Sequence, residues 1–307
     1  MTLPIANAPC SWGVDDPDNP HLPAWETVLK EAAQAGYQSI ESGPVGYLPE
    51  DDQVLTAALN RYGLSLVAGT LFDDLVSEAH FPHLLALTHR ICRRLAAVPT
   101  ARKTGAPGRQ PPYLVIIDFG HDERARFAGQ SARSPRLPAP DRQRMMRHIA
   151  EISRVAWEEY GVRPVVHPHA GGYIEFADEL EMLMAEIPHE LAGLCLDTGH
   201  LYYAGMDPVT WLDKCWPRID YLHFKDVDRR VFASVLARGT DFFSACAEGV
   251  MCPLGRGEID YAAVHDLLVR RGYDGWITIE QERDPRNAAG SLQDVTASLR
   301  YLRETGF

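Results

Sequence analysis

The sequence predicts a (β/α)8 barrel, a TIM barrel folded as a single domain. Three observations carry that expectation. Eight short β-rich runs alternate with longer amphipathic segments along the 307 residues. Several runs are apolar almost throughout (YLVIID, LCLD, WITIE), as strands buried on both faces of a parallel sheet are. Glycine stands where helices hand over to strands, at Gly36, Gly63, Gly161 and Gly272. A barrel of this kind takes about 250 residues plus insertions. The competing architecture is a doubly wound open sheet. No strand here is followed by the GxGxxG loop of its dinucleotide-binding form.

Taken in order, the first strand is expected at 5–11, with a helix at 25–35 that stops at Gly36. The second, 38–41, ends in Glu41 and leads to a helix at 53–62. The third and fourth are 65–70 and 113–118, and a long helix follows at 141–160. The fifth, 163–167, precedes a helix at 177–187; the sixth and seventh are 192–197 and 218–224. A helix at 261–271 leads to the eighth strand, 275–280, and a last helix covers 292–303. Two stretches break the alternation, at about 99–112 and 120–140. Both are rich in Arg, Pro, Gly, Ser and Ala and read as loop insertions in one domain spanning 1–307. The first falls on the barrel's non-catalytic face and reads as solvated. The second follows the fourth strand, where it either covers an active-site mouth or is a solvated surface loop.

Composition excludes several functions. Lys and Arg number 30 against 42 Asp and Glu, a net charge of −12, so no basic face is available for nucleic acid or anionic membrane. No apolar run approaches the ~20 residues of a membrane span. The opening MTLPIANAPCSWG has no basic region followed by an apolar one, so no export is expected. Six cysteines without CxxC spacing read as reduced thiols of a cytoplasmic protein.

Barrels of this class do chemistry at the C-terminal ends of their strands. There the sequence places Glu41, His167-Pro-His169, Asp197-Thr-Gly-His200, His223-Phe-Lys225-Asp226 and Glu280-Gln-Glu282. One histidine after a strand is more often a hydrogen-bonded surface residue than a ligand, and one carboxylate there is commonly a helix cap. Five strands converging with His, Asp and Glu would be costly unless a cation or an ion-pair network neutralised them. Imidazole and carboxylate without thiolate suits Mn, Fe, Co or Zn with positions left for substrate. The strand-end residues His167, Asp197, His223 and Glu280 are assigned to the metal. His169 and His200, one step further out, are the candidate acid–base groups.

These residues resemble the xylose-isomerase-like barrel superfamily of sugar isomerases and epimerases, and within it the inosose (2-keto-myo-inositol) dehydratases. The motifs run in order along nearly the whole chain. They are SWG at 11–13, GYLP at 46–49, HxHxG at 167–171, DTGH at 197–200, HFKDV at 223–227, PLGRGEIDY at 253–261 and GWITIEQERDP at 275–285. The resemblance implies one divalent metal on the same four residues, with Mn or Co favoured over Zn, Fe or Mg. Isomerases of the superfamily usually carry Glu where His167 stands. An imidazole there leaves the metal a stronger Lewis acid and removes one carboxylate base, which favours a dehydratase.

The implied reaction is dehydration of a cyclic polyhydroxy ketone to a dione. His169 or His200 removes the proton beside the carbonyl, and the β-hydroxyl leaves as water. Lys225 is expected to hold hydroxyls or developing charge, or else to be a salt-bridge partner. Asp226, Arg256 and Glu282 are placed to bind hydroxyls, with a purely structural role open for Arg256 in its GRG turn. Trp12 is either an apolar wall against a ring or core. Glu41 either binds substrate or forms a buried ion pair with an arginine. The alternatives in function are a keto-sugar isomerase or epimerase, and a lyase acting on a 3-keto-sugar or 3-keto-glycoside. Partners are then a small polyol or keto-sugar and a second copy in a homo-oligomer, with neither nucleic acid nor membrane.

Overall fold

A parallel barrel with helices outside it is what the computed structural model contains; it describes residues 3–101 and 109–307. The expected insertion at 99–112 lies partly outside the described residues. The first strand is shorter than expected. β1 (Ile5–Asn7) ends before Pro9, which has no N–H for a ladder, and the chain turns into a 3-10 helix at Pro9–Trp12. α1 (Trp25–Ala35) buries Val28, Leu29 and Ala32 and ends at Gly36. β2 (Ser39–Ile40) and α2 (Asp52–Tyr62) follow, the latter capped by Asp51, which accepts from the Gln53 N–H at 2.7 Å.

The third strand is split. β3 (Ser65–Leu66) pairs with β2, while β4 (Ala68–Asp73) pairs with β5 (Tyr113–Asp118). Val67 between them donates to the Ile40 carbonyl and accepts from the Tyr113 N–H, both at 3.0 Å. The nine-stranded sheet, with β3 at one end of its order and β4 at the other, therefore closes on itself through one residue. α3 (Phe81–Ala97), which the sequence reading did not name, packs Leu84, Thr88, Ile91, Cys92 and Leu95 inward.

α4 (Asp122–Ala125) and α5 (Ala139–Tyr160) bracket the second of the two irregular stretches. Then come β6 (Arg163–Val166), α6 (Ala177–Glu186), β7 (Gly193–Asp197), α7 (Thr198–Tyr203) and α8 (Pro208–Lys214). β8 (Ile219–Phe224) is followed by a short antiparallel hairpin, β9 (Asp226–Val227) with β10 (Met251–Cys252), that encloses α9 (Arg229–Arg238) and α10 (Phe242–Ala247). α11 (Tyr261–Arg271), β11 (Ile277–Ile279) and α12 (Ser291–Thr305) complete the chain.

Two apolar layers hold it together. Inside the barrel Tyr113 stacks on Tyr221 at 4.4 Å between ring centres, among Ala6, Val67, Val115, Val165, Cys195 and Trp276. Outside it the alternate strand residues, such as Leu114, Leu194, Leu196 and Leu222, pack against the helices. This two-residue alternation places the site. Cys195 and Tyr221 face inward, so Asp197 and His223, two residues on, face inward at the strands' C-terminal ends.

The 120–140 stretch lies largely at the surface, with Arg124, Ala128 and Ser134 as its buried anchors. Arg124 is completely buried, and its guanidinium donates to both oxygens of Glu179, at 2.7 and 3.0 Å, and to the Pro135 carbonyl at 2.7 Å. A charge with that many partners is stable without water.

Candidate active site

His167 follows β6, Asp197 ends β7, His223 lies in β8 and Glu280 follows β11. Each offers one ligand atom, and these four atoms all lie within 4.8 Å of one another. The His167 Nε2 is 3.9 Å from Asp197 Oδ2, and the His223 Nδ1 is 3.0 Å from Glu280 Oε2. All four side chains are buried, yet neither ring nitrogen of His167 has a hydrogen bond. Buried polar atoms without partners are costly unless something else engages them. Burial also pushes the His167 pKa down against the pull of Asp197, which keeps the ring in the neutral form a metal requires. Three carboxylates, of Asp197, Glu280 and Glu282, surround one ammonium, that of Lys225, and a fourth, of Glu41, pairs with His223. The two nitrogens, two oxygens and excess negative charge fit a divalent metal ion.

Glu41 serves this group from behind. Its Oε1 accepts from His223 Nε2 at 2.8 Å and from the Tyr221 hydroxyl at 2.6 Å. With Nε2–H committed to Glu41, Nδ1 is turned to the other three donors. Burial lowers the ring's pKa, but Cys195, Glu280 and Glu41 hold it well above the ordinary value, so a metal there would displace the Nδ1 proton. Neither the arginine pairing nor hydroxyl binding alone describes it: Glu41 lines the cavity and also orients His223. Lys225 is completely buried, 3.0 Å from both Asp197 Oδ2 and Glu282 Oε1 and ion-paired with Glu280. Burial works against its charge, but Asp197, Glu280 and Glu282 together hold its pKa well above the ordinary value.

A cavity of about 380 Å³ opens on this centre. His169, Lys225, Glu280 and Glu282 line it, with Phe72, Ile117 and Phe243 as an apolar wall. The size suits a six-membered ring bearing substituents. His169 donates from Nδ1 to the Ala170 carbonyl at 2.9 Å, which leaves Nε2 as its basic atom. Burial, then His167 and Lys225, push its pKa well below normal, so it is neutral and able to accept a proton. The Glu282 carboxyl is pushed up to about 7 by burial, opposed by Lys225 and reinforced by Glu280.

Four sequence expectations are corrected here. His200 does not line the cavity. Asp197 caps its N–H at 2.8 Å and so starts α7 at once, turning the ring behind His169, where Nδ1 accepts from the Ala170 N–H at 3.1 Å. Trp12 is core: it is fully buried, and its indole N–H donates to Glu31 at 2.7 Å. Asp226 is spent on backbone, accepting from the N–H groups of Val227, Gly255, Gly257 and Ile259 at 2.9–3.0 Å. A Cβ at Gly257 would stand 2.3 Å from its carboxylate, so only glycine allows that approach. Arg256 sits in the loop that Asp226 folds, and its side chain is exposed, away from the cavity.

Sequence reasoning missed Cys10, Asp15, Phe72 and Phe243 on the cavity wall. Asp15 had a signal, the acidic pair at 15–16 one residue beyond the SWG motif. Phe243 had none, because nothing marked α10 as a cavity-side helix.

The fold and this strand-end centre define a class. A family model described as xylose isomerase-like TIM barrel matches residues 29–305, and the chain belongs to that family. It is 31% identical over 287 residues to an inosose dehydratase of Geobacillus kaustophilus, covering 92% of this chain and 88% of that one. It is 30% identical over 297 residues to the rhizopine catabolism protein MocC of Rhizobium meliloti, covering 94% and 84%. Among solved structures it is similar to the IOLI protein with a binding zinc atom, with a TM-score of 0.70, 13% identity and 99% of both chains covered.

Proposed function

We propose that this protein is a divalent-metal-dependent carbon–oxygen lyase that dehydrates a cyclic polyhydroxy ketone, as an inosose dehydratase does. The observation that carries the reading is one cavity that three members of a buried N2O2 ligand group line, His167, His223 and Glu280, with Asp197 behind them, and, apart from that group, a neutral histidine with a free basic nitrogen. When bound, a divalent ion supplies Lewis acidity at a ketone carbonyl. Two imidazoles with two carboxylates suit manganese or cobalt, with zinc, iron and magnesium behind them. The six free cysteines fit a reducing, cytoplasmic setting.

The protein's own groups divide the proton work. His169 Nε2 takes the proton from the carbon beside the ketone. Lys225 and Glu282, which also line the cavity, bind the ring hydroxyls. Glu282, with a pKa of about 7, is protonated in part at neutrality and gives its proton to the departing β-hydroxyl. One C–H and one C–O bond break, a C=C bond forms, water leaves, and tautomerisation yields the dione. The wall of Phe72, Ile117 and Phe243 meets the C–H face of the ring.

The test is incubation of the Mn- or Co-loaded protein with scyllo-inosose, with ketohexoses as controls. Growth of the ultraviolet absorbance of a conjugated dione is expected. Epimers from the ketohexoses with no dione from the inosose would replace this reading with an epimerase.

A further inference from the structure

The peptide group between Ala170 and Gly171 joins two things the reaction keeps apart. Its carbonyl accepts His169 Nδ1–H at 2.9 Å. Its N–H donates to Glu175 Oε2 at 3.0 Å. One planar unit therefore connects a buried carboxylate to the candidate base, and rotating that plane would move the acceptor that fixes which ring nitrogen carries the proton. Gly171 makes the plane available, because its φ of +86° is a conformation that residues with a Cβ rarely adopt.

Glu175 is in turn held by the 120–140 segment. Its Oε1 accepts from the Gly129 N–H at 2.6 Å, and Arg124 lies 3.4 Å from its Oε2. Arg124 is fixed by both oxygens of Glu179, and its guanidinium stacks 5.0 Å from the Tyr173 and Phe176 rings. Both Glu175 and Arg124 are buried. All of this stands behind the turn, since neither residue lines the cavity.

We infer that Glu175 and Arg124 are positioning residues for His169. Glu175 orients the base through the Ala170–Gly171 peptide, and the 120–140 segment is a fixed clamp on that peptide rather than a cover over the mouth. The inference rests on His169 being the base of the proposed reaction. It assigns the work of orienting that base, which a directly bonded carboxylate does in other acid–base sites, to a carboxylate acting through one peptide.

Its first test needs no substrate. Ring 15N shifts of His169 in the zinc-loaded wild-type protein are expected to show the proton on Nδ1; a proton on Nε2 overturns the inference whatever any variant does. In Glu175→Gln the amide nitrogen faces one of two N–H donors, and the ring is expected to populate both tautomers. In Arg124→Lys the fork to Glu175 and Glu179 is lost, and the same change is expected in weaker form.

The second test is kinetic. Both variants should keep one equivalent of metal and a KM within about twofold, while kcat falls about 10–100-fold, the usual result of a misplaced catalytic group. A kcat unchanged in the folded protein, or a loss of metal, overturns the positioning role. Should Glu175→Gln not fold, Arg124→Lys and the wild-type tautomer still decide. If wild type makes no dione, the proposed reaction fails, while the tautomer result stands or falls by itself.

Discussion

His169 and His200 have rings 4.1 Å apart, yet their hydrogen bonds give them different capacities. The first donates from Nδ1 and lines the cavity, whereas the second accepts at Nδ1 from Ala170 and stands behind it. Alanine at either should leave metal content near one equivalent. His169→Ala is expected to cost about 10²–10⁴-fold in rate, the usual worth of a positioned base. His200→Ala should cost about tenfold, because it removes one acceptor from the turn. Equal losses in both would return His200 to proton transfer. At the ligands, Asp197→Asn and Glu280→Gln should abolish metal binding with the fold intact, read by metal analysis and circular dichroism. Glu41→Gln should weaken metal affinity about 10–100-fold, through His223 rather than by losing a ligand, measured by competition with a chelator. Strand alternation in the sequence was enough to bring His167, Asp197, His223 and Glu280 together. It could not reveal that Asp226 turns its carboxylate onto the N–H of Val227 and three N–H groups of a loop about thirty residues away, because that depends on how the loop folds back.

Elements were legible where one face is continuously apolar. α1 and α11 stand where their periods place them, and α3 carries an equally clear buried face in Leu84, Ile91, Cys92 and Leu95, so its signal was present although it went unnamed. The segment from α7 to α10 was opaque: its helices are short, and Phe242, Tyr203 and Val235 bury against one another in a side cluster rather than along one face. The hairpin of β9 and β10 holds that cluster shut, and Asp226 holds the hairpin. Asp226→Asn turns an acceptor oxygen into a donor facing N–H groups. It should cost about 2–4 kcal/mol in urea denaturation, the range for breaking a buried network, with metal stoichiometry unchanged. A cost below about 0.5 kcal/mol, the size of an ordinary surface substitution, would mean that the loop is held by its apolar contacts instead.

The whole molecule places its charge unevenly. Apolar layers fill the barrel's interior and its outer shell, while four carboxylates and the clustered rings of His167, His169, His200 and His223 gather at one end. Such a centre is a burden on the folded state until a cation engages it, so metal affinity and fold stability should be linked. At a free metal concentration about 100-fold above Kd, linkage gives about 2.7 kcal/mol. In a domain of this size that is a rise of about 5 °C in Tm. The rise should track free metal logarithmically in wild type and in Glu175→Gln, whose ligands are intact. It should be absent in Asp197→Asn, measured by calorimetry in buffered metal. A rise of equal size in Asp197→Asn would move the stabilising ion away from the strand ends. The metal-type groups in the described residues that share no ligand with this centre, Asp73 with His80 and His83 and Asp74 with Asp118 and His121, would then be the places to look.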